Sequence, residues 1–177
     1  MSKTIFIATE KPFSPDAKDQ ATAILENAGY TVRVLESYGS ESDLLGAVAE
    51  ADAIIIRSDK IHQGVLEAGA SLKLVVRAGA GYDNVDCAAA KERGVAVMNT
   101  PGQNSNAVAE LVFGMIVMQA RGRFDGKSGT ELKGKTLGIH AIGNVGKNVL
   151  RVANGFGMDV IAFDPFVSPE DIEALGA

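Results

Sequence analysis

Between Thr136 and Asp164 the chain reads strand, glycine turn, helix, strand and acid, and this order restricts the fold more than any other stretch. Thr136-Leu137-Gly138-Ile139-His140-Ala141 is an apolar strand, Ala141-Ile142-Gly143-Asn144-Val145-Gly146 a tight turn, and Lys147 to Phe156 a helix. Asp159-Val160-Ile161-Ala162-Phe163 is a second strand, with Asp164 at its C-terminal end. The arrangement suits the adenosine half of a dinucleotide. Glycines let the backbone approach a pyrophosphate, a helix N-terminus offers N–H groups and a positive dipole, and the acid takes ribose hydroxyls. Such a site is expected to rest on more sheet than the residues after Asp164 can form, so the sequence is expected to be the N-terminal portion of a longer protein. Ala141 stands where the glycine fingerprint begins. It is expected at negative φ, since positive φ with a Cβ costs on the order of 1 kcal/mol.

Composition excludes several classes. The 177 residues hold one ordinary domain, or a small one and part of another. With 46% hydrophobic and 22% charged residues the chain is ordinary for a globular protein. A net charge of −5 without a basic stripe argues against a nucleic-acid partner. No apolar run approaches the roughly 20 residues that cross a bilayer, so no membrane partner is expected. Met1-Ser2-Lys3 leads straight into a strand, so no signal peptide is expected. Cys87 is the sole cysteine, which rules out an intramolecular disulfide and fits a reducing, cytoplasmic setting. No zinc-ligand spacing is present.

The first hundred residues alternate strand and helix at α/β spacing. Strands are expected at Thr4 to Ala8, Thr31 to Leu35, Ala53 to Ile56, Leu72 to Val76 and Val95 to Met98. Helices are expected from Ser14-Pro15-Asp16 to Asn27, stopped by Gly29, and at Ser42 to Ala49, Gln63 to Ala68 and Asp86 to Arg93. Short apolar strands between helices imply a parallel sheet covered on both faces. Ser105 to Arg121 is one long apolar helix, expected to be buried between domains, and Gly122 to Lys135 is a glycine-rich loop. Ser168-Pro169-Glu170 opens a last helix, expected to be cut off by the chain end.

The loop after the fourth strand, Arg77-Ala78-Gly79-Ala80-Gly81-Tyr82-Asp83-Asn84-Val85-Asp86, has two readings. Its glycines can turn backbone N–H groups toward an anion while Arg77 adds a charge-assisted bond to a carboxylate. Alternatively it is a plain turn into a helix capped by Asp83 or Asn84. Arg57, directly after Ile54-Ile55-Ile56, is either a ligand contact or part of a surface ion pair, and Lys60 is a further cation for a phosphate. His140 reads as structural and His62 as a solvated residue at a helix start.

This loop, together with Gly94-Val95-Ala96-Val97-Met98-Asn99-Thr100-Pro101-Gly102, Asn104, Ala109-Glu110-Leu111, Gly129 to Gly138, and Phe156-Gly157-Met158 through Phe163-Asp164-Pro165, closely resembles the D-2-hydroxyacid dehydrogenase family. The resemblance covers nearly the whole chain. It implies an α/β architecture: a flavodoxin-like doubly wound substrate domain over residues 1–99, then an incomplete Rossmann dinucleotide-binding domain over 100–177. It implies NAD as cofactor, with 3-phosphoglycerate as the small-molecule 2-hydroxy acid oxidised to 3-phosphohydroxypyruvate in serine biosynthesis. By the same resemblance Arg57, Ser58, Arg77, Gly79, Gly81 and Asn104 face substrate. Gly143, Asn144, Val145 and Gly146 form the pyrophosphate turn, and Asp164 binds ribose.

Four departures qualify the match. The family's catalytic arginine, glutamate and histidine have no counterpart here and are expected beyond residue 177, so the chain alone is expected to be inactive. Ala141 replaces a glycine. The connection from Ala120 to Gly129 is short and lacks tryptophan, and Ala80 stands where many relatives have threonine. A different 2-hydroxy acid, a shortened binding module and an NAD-sensing interaction protein stay open as alternatives. So does a homodimer.

Overall fold

The computed structural model describes residues 2–177. The chain divides into two compact units, Met1–Pro101 and Gly102–Ala177, slightly beyond the boundary expected after Asn99. Each is described by itself.

The first unit contains β1 (Thr4–Thr9), α1 (Pro15–Asn27), β2 (Thr31–Glu36), α2 (Glu41–Ala49), β3 (Ala53–Ile56), α3 (Gln63–Ala68), β4 (Leu74–Arg77), α4 (Cys87–Glu92) and β5 (Ala96–Asn99). Its five strands are parallel and ordered β2-β1-β3-β4-β5. This is the flavodoxin-like doubly wound order, which reverses between β1 and β3; ligands of open α/β sheets sit beyond the carboxyl ends of the strands at such a reversal. Central strands are apolar on both faces, as helix-covered parallel strands must be. Ile7, Ile54, Ile56 and Val75 are fully buried with Val48 of α2 and Val65 and Leu66 of α3.

Local chemistry sets the boundaries. Ser14 caps α1 by accepting from the Ala17 N–H, and Pro15 occupies its first turn. Gly29, at φ +88, stops it with the paired bonds Gly29 N–H to Glu26 O and Tyr30 N–H to Leu25 O. Gly94 ends α4 in the same way. Neither Asp83 nor Asn84 caps α4. Asp86 does, accepting from the Ala89 N–H at 3.0 Å. β4 starts later than expected, because the Leu72 N–H is turned back to Gly69 O, and it ends on Arg77. Arg77 is therefore paired with Ile56 on one side and Asn99 on the other.

The second unit contains α5 (Ser105–Ala120), β6 (Thr136–His140), α6 (Asn144–Gly155), β7 (Asp159–Phe163) and α7 (Pro169–Ala174). β6 and β7 form a two-stranded parallel sheet running from Thr136↔Asp159 to His140↔Phe163. Ala109 and Phe113 of α5 pack with Val149 and Ala153 of α6, and the Phe113 and Phe156 rings stack at 5.1 Å. Three expectations change. α5 buries one face only, with Leu111, Met115 and Met118 exposed. α6 begins inside the glycine turn, at Asn144 rather than Lys147. α7 closes at Ala174, before the chain end, with Gly176 at φ +93. No helix among the described residues is long and apolar enough to cross a membrane.

Ile54 sits in register between Phe6 and Val75 with no exposed surface. Truncation to alanine is expected to remove about 2–5 kcal/mol from the unfolding free energy of the first unit, measured by denaturant titration.

Candidate functional site

Residues from the ends of β1, β3 and β4 meet on one side of the first unit. Arg57 follows β3, and its guanidinium donates through Nη1 to Lys11 O at 3.1 Å and Pro12 O at 2.5 Å, both in the loop after β1. Its Cζ lies 5.4 Å from the Phe13 ring centroid. Arg57 is thus neither a free cation nor part of a surface ion pair; backbone carbonyls and an aromatic face hold it in place. Ser58 and Lys60 beside it are exposed.

Arg77 is placed differently. Its side chain folds over Gly79, where a Cβ would overlap the guanidinium. Neither Gly79 nor Gly81 is at positive φ, and the atoms nearest a Gly79 Cβ belong to the movable end of the Arg77 side chain. The Arg77 Nε is buried and has no hydrogen-bond partner, and no ion pair forms at its head among the described residues. A buried donor left unpaired costs about 1–3 kcal/mol, so a native structure that keeps one usually has a use for it. Arg77 lines a cleft of about 540 Å³ with Ser58, Lys60, His62, Asn84 and Asp86. The Gly79 N–H is not open to an anion, because it bonds Arg77 O at 2.8 Å. Gly81 is exposed.

Pattern reading of the sequence missed the polar network beneath these arginines. Asp59 is buried at 6% exposure. It accepts from the Glu10 N–H at 2.7 Å, the Tyr38 O–H at 2.6 Å and the Arg57 N–H at 3.0 Å. Burial, reinforced by the bond to Asp59, pushes the Tyr38 phenol well above its ordinary pKa, so it remains a donor. Asn84 donates to Arg57 O and Asp59 O while its Oδ1 is buried without a partner. An acid one residue past a strand-end Arg-Ser pair was the only available signal. His62 is also more than a solvated residue. It caps α3, its Nδ1 accepting from the Gly64 N–H at 3.1 Å and its Nε2 meeting Glu41 at 2.7 Å.

In the second unit the glycine turn joins β6 to α6. Gly143 is the N-cap of α6 and provides no side-chain cap, and nothing lies within 4 Å of where its Cβ would be. The first N–H groups of α6, on Asn144, Val145 and Gly146, are therefore left for an anion. Gly146 must be glycine, since a Cβ would meet Ala141 O. Asp164 accepts from the Ile142 N–H at 2.8 Å and the Phe166 N–H at 2.9 Å, which fixes the acid beside the turn. His140 is exposed and lies against Phe163. Asn104 is exposed at the N-cap of α5 and makes no side-chain capping bond.

Ala141 departs from expectation: its φ is +85, not negative. Its N–H extends the sheet by bonding Phe163 O at 2.7 Å, while its carbonyl packs against Gly146. With both ends held, the chain can turn into α6 only through the left-handed region, Cβ or no Cβ. Ala141→Gly is therefore expected to stabilise the second unit by about 1 kcal/mol, read as a rise in its unfolding midpoint.

Comparison with known proteins agrees with this layout. The description of the D-isomer specific 2-hydroxyacid dehydrogenase catalytic domain matches residues 8–175. A hydroxypyruvate reductase of Thermotoga maritima is 37% identical over 167 residues, 86% of this chain and 54% of that protein. A D-3-phosphoglycerate dehydrogenase of Methanocaldococcus jannaschii is 38% identical over 172 residues, 89% of this chain and 32% of that protein. The NAD+-bound 3-phosphoglycerate dehydrogenase of Entamoeba histolytica superposes with a TM-score of 0.90 at 45% identity, over 99% of this chain and 59% of that one. The chain thus spans little more than half of these relatives, or less. By its match along nearly its whole length, the chain belongs to the D-isomer specific 2-hydroxyacid dehydrogenase family.

Proposed function

We propose that the chain is the N-terminal portion of an NAD-dependent D-3-phosphoglycerate dehydrogenase, with substrate recognition in the first unit and cofactor recognition in the second. The observation that carries this reading is Arg77, a strand-end arginine with a buried, unpartnered Nε beside a polar cleft. A guanidinium so placed suits a planar carboxylate, which offers two acceptors to its fork. Arg57 and Ser58, with Lys60, form the second polar group and suit the phosphate, while Gly79 and Gly81 keep the loop thin enough for close approach.

The second unit offers groups suited to the adenosine half of NAD. Gly143, Asn144, Val145 and Gly146 present open backbone to the pyrophosphate. Asp164 uses one lone pair of each oxygen on Ile142 and Phe166 and keeps the others for ribose hydroxyls. Bound NAD would supply the hydride acceptor. These residues hold and orient, but they do not move the hydroxyl proton. Both His62 ring nitrogens are engaged, and His140 sits against Phe163. The chain itself is thus a binding fragment of an oxidoreductase.

A second 2-hydroxy acid is favoured by one finding, the hydroxypyruvate reductase among the relatives. Comparing D-glycerate with 3-phosphoglycerate separates the two readings, since only the latter gains from a phosphate subsite.

Three outcomes are expected. In calorimetric titrations Arg77→Lys should weaken 3-phosphoglycerate binding by about tenfold while NAD binding holds, because the planar fork is lost and the charge is kept. Gly143→Val should do the reverse, its side chain entering the space left for phosphates. Equal losses of both ligands in either variant would mark that residue as structural. The chain should also form no NADH from 3-phosphoglycerate, since general acid–base help is commonly worth about 10²–10⁴ in rate. Turnover by chain free of full-length enzyme would overturn the binding-fragment reading.

A further inference from the structure

Asp59 puts a buried negative charge next to a site proposed to bind an anion, so its presence needs a reason other than charge attraction. A buried carboxylate persists when charge-assisted hydrogen bonds replace its water. Here the three donors come from beyond the ends of different strands: Glu10 after β1, Tyr38 after β2 and Arg57 after β3. Arg57 is tied to this carboxylate at both of its ends. Its amide N–H bonds Asp59 directly, and its guanidinium rests on the carbonyls of Lys11 and Pro12. That loop is itself pinned to Asp59 by the Glu10 N–H and braced by the buried Thr9, whose Oγ1 donates to Lys11 O at 2.8 Å. From the β4 side, Asn84 clamps the carbonyls of Arg57 and Asp59 at 3.3 and 2.7 Å.

We propose that Asp59 is a positioning residue for anion binding, locking the Arg57 backbone to the loop after β1 so that the guanidinium is held in place before a ligand arrives. This rests on the reading above that Arg57 contacts the anion. A long, flexible side chain loses rotamer freedom when it binds, and fixing it beforehand removes that loss from the binding step.

The sign of the effect separates positioning from charge. Asp59→Asn removes a repulsive charge, so an electrostatic role alone predicts tighter anion binding. As a positioner it predicts weaker binding, because a carboxamide cannot accept from the Glu10, Tyr38 and Arg57 donors together without turning its NH₂ on one of them. The test is titration of the chain with 3-phosphoglycerate for wild type, Arg57→Ala, Asp59→Asn and the double variant, with NAD titrated in parallel. Asp59→Asn should weaken 3-phosphoglycerate by about tenfold, the worth of one charge-assisted hydrogen bond, and leave NAD unchanged. In the Arg57→Ala background the same change should weaken binding by less than about twofold, because the two residues act as one. Tighter or unchanged binding in Asp59→Asn, or a full loss in the Arg57→Ala background, would overturn the proposal. Should Asp59→Asn fail to fold, Tyr38→Phe removes one donor, keeps the carboxylate and carries the same cycle. Coupling to Arg57 supports the proposal and additivity overturns it. If Arg57→Ala binds like wild type, the anion role of Arg57 falls first and this proposal with it. A normal Arg57 loss with an uncoupled Asp59 removes this proposal alone.

Discussion

A carboxylate at 6% exposure survives inside a protein only when donors surround it, and Asp59 gathers three of them from beyond the ends of β1, β2 and β3. The parallel order β2-β1-β3-β4-β5 makes this convergence available, since it brings every strand's carboxyl end to one edge of the sheet. The loops that leave that edge would otherwise be free to move. Asp59 and Asn84 bind them to one another, and the arginines Arg57 and Arg77 are presented from a fixed base.

The two arginines are held by opposite means. Arg57 is compensated by carbonyls and an aromatic ring, while Arg77 is packed over Gly79 with its Nε unpaired. The first is a settled group whose remaining N–H groups can meet a ligand. The second carries an unmet hydrogen-bonding demand, which an acceptor of the kind proposed above would relieve. In the second unit strain takes the place of that demand. Ala141 is held at φ +85 by the sheet on one side and by Gly146 beneath its carbonyl on the other, and the sharp entry into α6 follows.

Much of the fold was legible because its signals are local. Ser14-Pro15-Asp16 and Gly29 bracket α1, Ser168-Pro169 opens α7, and Ala53 to Ile56 is a strand from end to end. Each depends on residues within a turn or two. The failures share a cause as well. Pattern alone put the start of α6 at Lys147, because a glycine-rich stretch reads as a turn even where helix geometry has already begun at Asn144. It read α5 as a helix buried between domains, because uniform apolarity does not say which face has a partner.

By itself the sequence determined the alternation of elements, the helix stops, the glycine turn with Asp164 beyond it, and the likeness to a dehydrogenase family. All of these are written in short windows or in ordered motifs. Only the tertiary structure decided that Asp59 is buried, that Arg77 lacks a partner, that His62 is a cap and that Ala141 is strained. The reason is distance along the chain. Asp59 meets Glu10 across 49 residues, Tyr38 across 21 and Asn84 across 25, and Ala141 is fixed by Phe163 of a neighbouring strand. No local propensity encodes such meetings; they exist once the sheet has set its register.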